Sequence, residues 1–166
     1  MTLAIAILAF VTLERLGELW LARRNTQRLI ARGAYEVGAP HYPVIVAIHA
    51  LWLAVLWWFG PGRPVDPSAL VMFGLLIIAR IWVIASLGAR WTTRIIVLPD
   101  APLVRRGPYR FVDHPNYWVV IGEIAVLPLV FGLWQVALLF SLLNAVILIV
   151  RVREENKALA SARSLT

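Results

Sequence analysis

The chain has 166 residues, of which 61% are hydrophobic and 15% charged, and its formal net charge is +7. Soluble domains hold roughly 45–50% apolar and about 25% charged residues, so a soluble globular domain is excluded, as are disordered, collagen-like and coiled-coil chains, and the length suits one domain. With no cysteine there are no disulfides or thiolate metal sites. Fifteen of the sixteen basic residues are arginines lying between long apolar runs, where membrane topology accounts for them without a nucleic-acid partner.

The first apolar run extends from about Thr2 to Leu21 and is interrupted by Glu14, Arg15 and Glu18. Glu14 and Glu18 share a helix face, and Glu18 can pair with Arg15 at i, i+3. They either snorkel at the cytoplasmic end of the span or line a polar cavity. This segment is not expected to be a signal peptide, because it lacks a basic start and a small-residue cleavage site. Arg23, Arg24, Arg28 and Arg32 follow it. The second run, Pro43 to Phe59, carries His49 at its centre, read as a neutral, hydrogen-bonded interior histidine. Trp52, Trp57 and Trp58 are read as an interfacial belt, since indoles favour that depth. A Pro/Gly-rich loop, 60–67, leads to the third run, Ala69 to Leu87, with Arg80 inside it.

The segment from Gly88 to Asn116 is polar and carries five arginines, and Trp91 lies in it. The last apolar stretch, Tyr117 to Val150, is too long for one ordinary span of roughly 20 residues. It divides into two short helices with the bend near Phe131-Gly132-Leu133-Trp134 and Pro128 shortening the first; Trp134 is read as another interfacial residue. Glu123 lies early in the first of these helices and is a candidate partner for Arg80. Arginines precede the stretch and Arg151, Arg153 and Lys157 follow it. Positive residues favour the cytoplasmic side, so the stretch goes in and comes back as a helical hairpin. The expectation is an all-α integral-membrane protein with about five transmembrane helices, N-terminus outside and C-terminus cytoplasmic. All spanning backbone should be helical, because lipid offers no hydrogen-bond partners.

A hairpin brings its own ends together. His114 and Glu155, about 40 residues apart, thereby become neighbours at one membrane face, and Arg151 shares a helix face with Glu155 at i, i+4. Pro115 keeps His114 extended and can open a helix. Aromatic faces with a carboxylate suit a cationic ligand; arginine suits an anionic or carbonyl-bearing group. The plainer alternative makes the first segment a turn and the second a solvated helix end. No glycine-rich nucleotide loop, nucleophile elbow or zinc-protease motif is present. The three histidines have no ligand spacing, so no metal is expected.

Gly107-Pro108-Tyr109-Arg110, then His114-Pro115-Asn116-Tyr117, an apolar hairpin, and Arg151-Val152-x-x-Glu155-Asn156 together resemble the isoprenylcysteine carboxyl methyltransferase family of integral-membrane methyltransferases. Residues 85–160 carry the specific match. The N-terminal half, including Arg24-Asn25 and 34–38, resembles a bacterial branch that includes alkylpyrone O-methyltransferases. The resemblance implies S-adenosylmethionine as methyl donor at the cytosolic face, leaving as S-adenosylhomocysteine. It implies donor binding by Gly107, Tyr109, His114, Pro115, Tyr117, Glu155 and Asn156, with Arg151 and Glu155 catalytic and Arg151 orienting the accepting oxygen. One domain, 1–166, is expected, with three spans in 1–87 and the cofactor-binding catalytic half in 88–166. The acceptor is expected to be lipophilic, an isoprenylcysteine-type carboxylate or an alkylpyrone- or phenol-type hydroxyl, entering from the bilayer of a bacterial inner membrane.

Two positions depart from the pattern. Asp113 stands where many members have Arg, and Asn156 stands where many have a second Glu. Aligning Glu154-Glu155 instead would turn the carboxylate about 100° around the helix, and the register with Glu155 first is preferred. Alternatives are a phospholipid N-methyltransferase on the same scaffold, a sterol-type reductase, disfavoured by its much larger size, and a non-enzymatic small transporter or scaffold.

Overall fold

The computed structural model describes residues 2–99, 101–102 and 104–163, with side chains described as far as Glu155. Five helices account for most of the chain: α1 (Thr2–Ile30), α2 (Tyr42–Phe59), α3 (Pro67–Leu87), α4 (Pro115–Val130) and α5 (Trp134–Arg163). Among the described residues, three segments are long and apolar enough to cross a membrane, Ala39–Phe59, Pro67–Arg90 and Trp134–Glu155. α4 is apolar but shorter, at 16 residues. α1 has the length, 29 residues, but runs unbroken past Leu21, so its charged residues fall mid-helix instead of at a span's end.

Local chemistry sets the boundaries. Asp66 caps α3, its Oδ1 accepting from the Ala69 amide at 2.8 Å, with Pro67 at the first helical position, where its missing N–H costs nothing. The Asp66 amide also donates to the Val130 carbonyl at 2.9 Å, tying the start of α3 to the end of α4. α4 opens at Pro115 and closes at Gly132, whose φ of +66° reverses the chain. The amides of Phe131 and Leu133 both donate to the Pro128 carbonyl there. The expected hairpin is therefore present, with its bend at the expected residues.

The interior is layered. One end holds an apolar cluster of Leu8, Val11, Trp52, Leu56, Leu127 and Phe131, with Phe73 and Phe140. The other end holds a smaller one around Ala22, Val83, Trp91 and Val119. Between them along the helices fall the ionisable residues Glu14, Arg15 and Glu18 of α1, Arg80 of α3 and Glu123 of α4. The outer faces are apolar: α3 exposes Val71, Leu75, Ile78 and Trp82, and α5 exposes Leu138, Leu142, Val146 and Ile149. Such stripes at helical spacing on the outside suit a lipid environment.

Two expectations about tryptophans change. Trp52 is 2% exposed and sits in the first cluster, so it is core and not belt. Trp57 turns its indole N–H to the Thr12 hydroxyl at 3.0 Å. Only Trp58, 81% exposed, keeps a belt-like position among the three, as Trp134 does at the hairpin bend. Neighbouring indoles on one helix point in different directions, and packing decides which goes inward.

The fold is all-helical as expected, with a short antiparallel ribbon added between the helices. β1 (Tyr35–Val37) pairs with β2 (Ile95–Val97) in the register Tyr35 to Val97 and Val37 to Ile95. Arg94 reinforces it, binding both oxygens of Glu36 at 2.7 and 2.9 Å and lying 4.2 Å from the Tyr42 ring centroid.

Candidate functional site

The hairpin brings its two polar ends together. His114 precedes Pro115, which starts α4, and Tyr117 lies in the helix's first turn. The His114 and Tyr117 rings stack, 5.1 Å between centroids and 17° apart in plane. From α5, Glu155 accepts a hydrogen bond from the Tyr117 phenol. Its other oxygen lies 3.6 Å from His114 Nδ1. Arg151, one turn earlier, donates from Nε to the Tyr117 oxygen at 3.0 Å, and its guanidinium carbon is 5.5 Å from the Tyr117 ring centroid. Four of the residues singled out in the sequence thus meet. Glu155, and not Glu154, is the carboxylate that reaches Tyr117.

Other expected site residues stand around this group. Gly107 begins a single tight turn, Gly107–Arg110, with φ of +56°. A Cβ there would overlap the Ser86 hydroxyl and lie 3.1 Å from the Trp82 indole nitrogen, so the turn seats directly on α3. Arg106 fastens the same turn, donating from Nε to the Ser86 carbonyl at 2.6 Å. Tyr109 packs on the cluster containing Val83 and Trp91. Burial pushes its phenol pKa up, and the nearby Glu155 charge adds to that, so it stays protonated. Pro115 is buried. The Asn156 side chain lies outside the described residues.

Tyr117 and Arg151 also form part of the wall of a partly open cavity of about 300 Å³ lined by all five helices and by residues 91–93. Its walls are greasy where Leu19, Val46 and Leu148 face it, and polar where Arg15, Arg80 and Asn144 do. His49 lies on the same wall and donates from Nδ1 to the Ile45 carbonyl at 2.8 Å, as an interior histidine should.

Beneath the cavity lies a buried ion cluster. Glu123, 2% exposed, is gripped by Arg80 through two hydrogen bonds and by Arg15 at 2.8 Å. Glu18 binds Arg15 at 2.8 Å and lies 3.3 Å from Arg80 Nε. Two guanidinium groups and two carboxylates thus neutralise one another, with Glu14 at 3.6 Å from Arg15. Of the two readings left open for Glu14 and Glu18, the cavity-lining one holds for Glu18, while Glu14 lies beside Arg15 and off the cavity wall; the suggested Arg80–Glu123 pair forms.

The family description matching the chain is that of the isoprenylcysteine carboxyl methyltransferase family, over residues 69–161, more than half the chain. The chain belongs to this family. The match takes in α3, the Gly107 turn and nearly all of the hairpin, the elements that assemble the polar group above. The chain is similar to an uncharacterized protein, YpbQ, of Bacillus subtilis (39% identical, covering 92% of this chain and 94% of that one). It is also similar to an uncharacterized protein of Haemophilus influenzae (26% identical, 88% of each chain). No solved structure matches it. Family membership together with three span-length apolar segments makes this an integral-membrane chain of a methyltransferase family.

Several residues of the site escaped the sequence reading. Asn116, inside the His-Pro-Asn-Tyr motif, accepts from Arg80 at 3.4 Å and so links the motif to the ion cluster. Asn25 donates to the carbonyls of Gly88 and Trp91 at 3.2 and 2.8 Å, pinning α1 to the loop that closes the cavity. Tyr42 and Thr93 are hydrogen-bonded at 3.0 Å and share its wall. Asn25 stands among Arg23, Arg24, Thr26 and Gln27, so no apolar periodicity marks it as buried, and its only signal was its place in the Arg24-Asn25 pair that carries part of the family resemblance.

Proposed function

We propose that the chain is an S-adenosylmethionine-dependent O-methyltransferase acting on a lipophilic acceptor, an isoprenylcysteine-type carboxylate or an alkylpyrone- or phenol-type hydroxyl. The observation that carries this is the meeting of His114, Tyr117, Arg151 and Glu155 at the joined ends of the hairpin, where Tyr117 and Arg151 also line a largely apolar cavity. Stacked aromatic faces beside a partly exposed carboxylate fit a cationic donor with an amino-acid end, so the residues present suit the cofactor. When bound, S-adenosylmethionine supplies an electrophilic methyl group on a sulfonium.

The protein's contribution is then alignment. His114, Tyr117 and Glu155 hold the donor at the membrane face. Arg151 faces the cavity from the same side and positions the acceptor oxygen, keeping an acidic hydroxyl ionised by its charge. Placing two reactants in line is worth several orders of magnitude in rate. Dispersed aromatic edges favour this chemistry over a touching carboxylate, because the positive charge of the donor disappears in the transition state. The lipophilic tail enters between helices from the bilayer. In this reading the hairpin ends and the arginine-rich loops face the cytoplasm of a bacterial inner membrane, following the positive-inside distribution.

Calorimetric titration with S-adenosylhomocysteine tests the site. Glu155→Gln is expected to weaken binding by about tenfold or more, the loss of a charge-assisted contact. Arg151→Ala should leave that affinity nearly intact and lower turnover by about a hundredfold or more. Wild-type affinity in Glu155→Gln would remove the assignment.

A further inference from the structure

Among the buried polar residues, Asn144 stands apart. It sits mid-way along the apolar stretch of α5 and is 3% exposed, yet its amide makes no hydrogen bond among the described residues. It is also absent from the buried atoms sealed from contact, so its amide atoms remain accessible, and the space they open on is the cavity. The other polar side chains on that wall are engaged: Arg80 with Glu123 and Asn116, Tyr42 with Thr93, Tyr117 with Arg151. The indole nitrogens of Trp52 and Trp91 also lack partners, but they are sealed. An unpartnered amide held in a span is costly, and on a folding criterion alone an apolar residue would serve better.

Position says what the amide is for. Asn144, Ile147, Leu148 and Arg151 follow helical spacing and all line the cavity. Asn144 therefore lies two turns of α5 from Arg151, on the same face and deeper in the apolar interior. We infer that Asn144 reads the acceptor's head group, hydrogen-bonding a second oxygen of the acceptor while Arg151 holds the oxygen that is methylated. An amide both donates and accepts, so the preferred class is an amphiphile whose head carries a carbonyl or hydroxyl besides the accepting oxygen. This rests on the methyltransferase reading for the role of Arg151, but not for the existence of the binding site.

Two chain-matched probes test it with the full-length protein in detergent: an undecyl hydroxypyrone, with hydroxyl and ring carbonyl, and undecylphenol, with hydroxyl alone. Binding is read by quenching of tryptophan fluorescence, which needs no methyl transfer. The wild type is expected to bind the hydroxypyrone about tenfold or more tightly, since a site built to hydrogen-bond a group rejects the analogue lacking it. Asn144→Leu should bring the ratio of affinities close to one and raise the melting temperature, because it removes a polar group with no protein partner. Asn144→Ala, which adds no bulk, gives the same ratio independently. A ratio unchanged by either substitution, or a melting temperature that falls in Asn144→Leu, overturns the inference. Selective binding by the wild type without methylation of either probe would instead count against the methyltransferase reading and leave Asn144's role standing.

Discussion

Tyr117 joins the two ends of the hairpin through three different faces of one side chain. Its hydroxyl donates to Glu155 and accepts from Arg151, and its ring stacks on His114. Removing the oxygen and keeping the ring separates these functions. Tyr117→Phe preserves the stacking but leaves Arg151 Nε and a Glu155 oxygen without that partner. A hydrogen bond to a charged group is worth about 1.5–3 kcal/mol. Affinity for S-adenosylhomocysteine, read by calorimetry, should therefore fall by about tenfold while far-ultraviolet circular dichroism is unchanged. Asn116, next to Tyr117, points instead to Arg80, so the four-residue motif serves two sites. His114 and Tyr117 turn to the hairpin's far end, and Asn116 turns to the ion cluster.

At the scale of elements, the turns do the positioning, and two glycines show how differently they are constrained. Gly107 and Gly132 both have positive φ, +56° and +66°, which costs an L-residue about 1–2 kcal/mol. At Gly132 a Cβ would meet nothing within 4 Å, whereas at Gly107 it would run into Ser86. Gly132→Ala should thus cost about 1 kcal/mol, the backbone term alone. Gly107→Ala should cost more, because overpacking adds about 1–3 kcal/mol. Thermal unfolding in one detergent would order them, and equal losses would show that Ser86 yields freely. The β1–β2 ribbon has the same positioning role: Glu36 and Arg94 clamp the loop that carries Trp91, Thr92 and Thr93 onto the cavity.

At the scale of the whole molecule, an ion cluster separates two apolar cores. Arg15, Glu18, Arg80 and Glu123 come from three helices, and each helix places its charge between apolar residues that belong to different cores. Breaking a buried pair by removing one partner costs about 3–5 kcal/mol, since the remaining charge is stranded. Glu123→Leu should accordingly unfold at a much lower temperature than the wild type. Adding Arg80→Met should recover part of the loss, leaving Arg15 and Glu18 to pair with each other. A double variant no better than the single one would show that the cluster acts through Arg15 and not through Arg80.

Much was legible from residues alone. Apolar run length set the helices, Pro115 and the Phe131–Trp134 stretch set the hairpin's start and bend, and the hairpin in turn required His114 and Glu155 to approach. These are one-dimensional properties, spacing and turn chemistry, which a chain carries before it folds. Sequence could not decide which way a side chain on a uniformly greasy helix faces, because in α2, and in α5 as far as Val150, most positions are apolar and periodicity carries no signal. Tertiary packing alone therefore turned Trp52 inward, gathered four charges from three helices around one another, and left Asn144 on the wall of a cavity, since each of those outcomes depends on which neighbour stands across the gap.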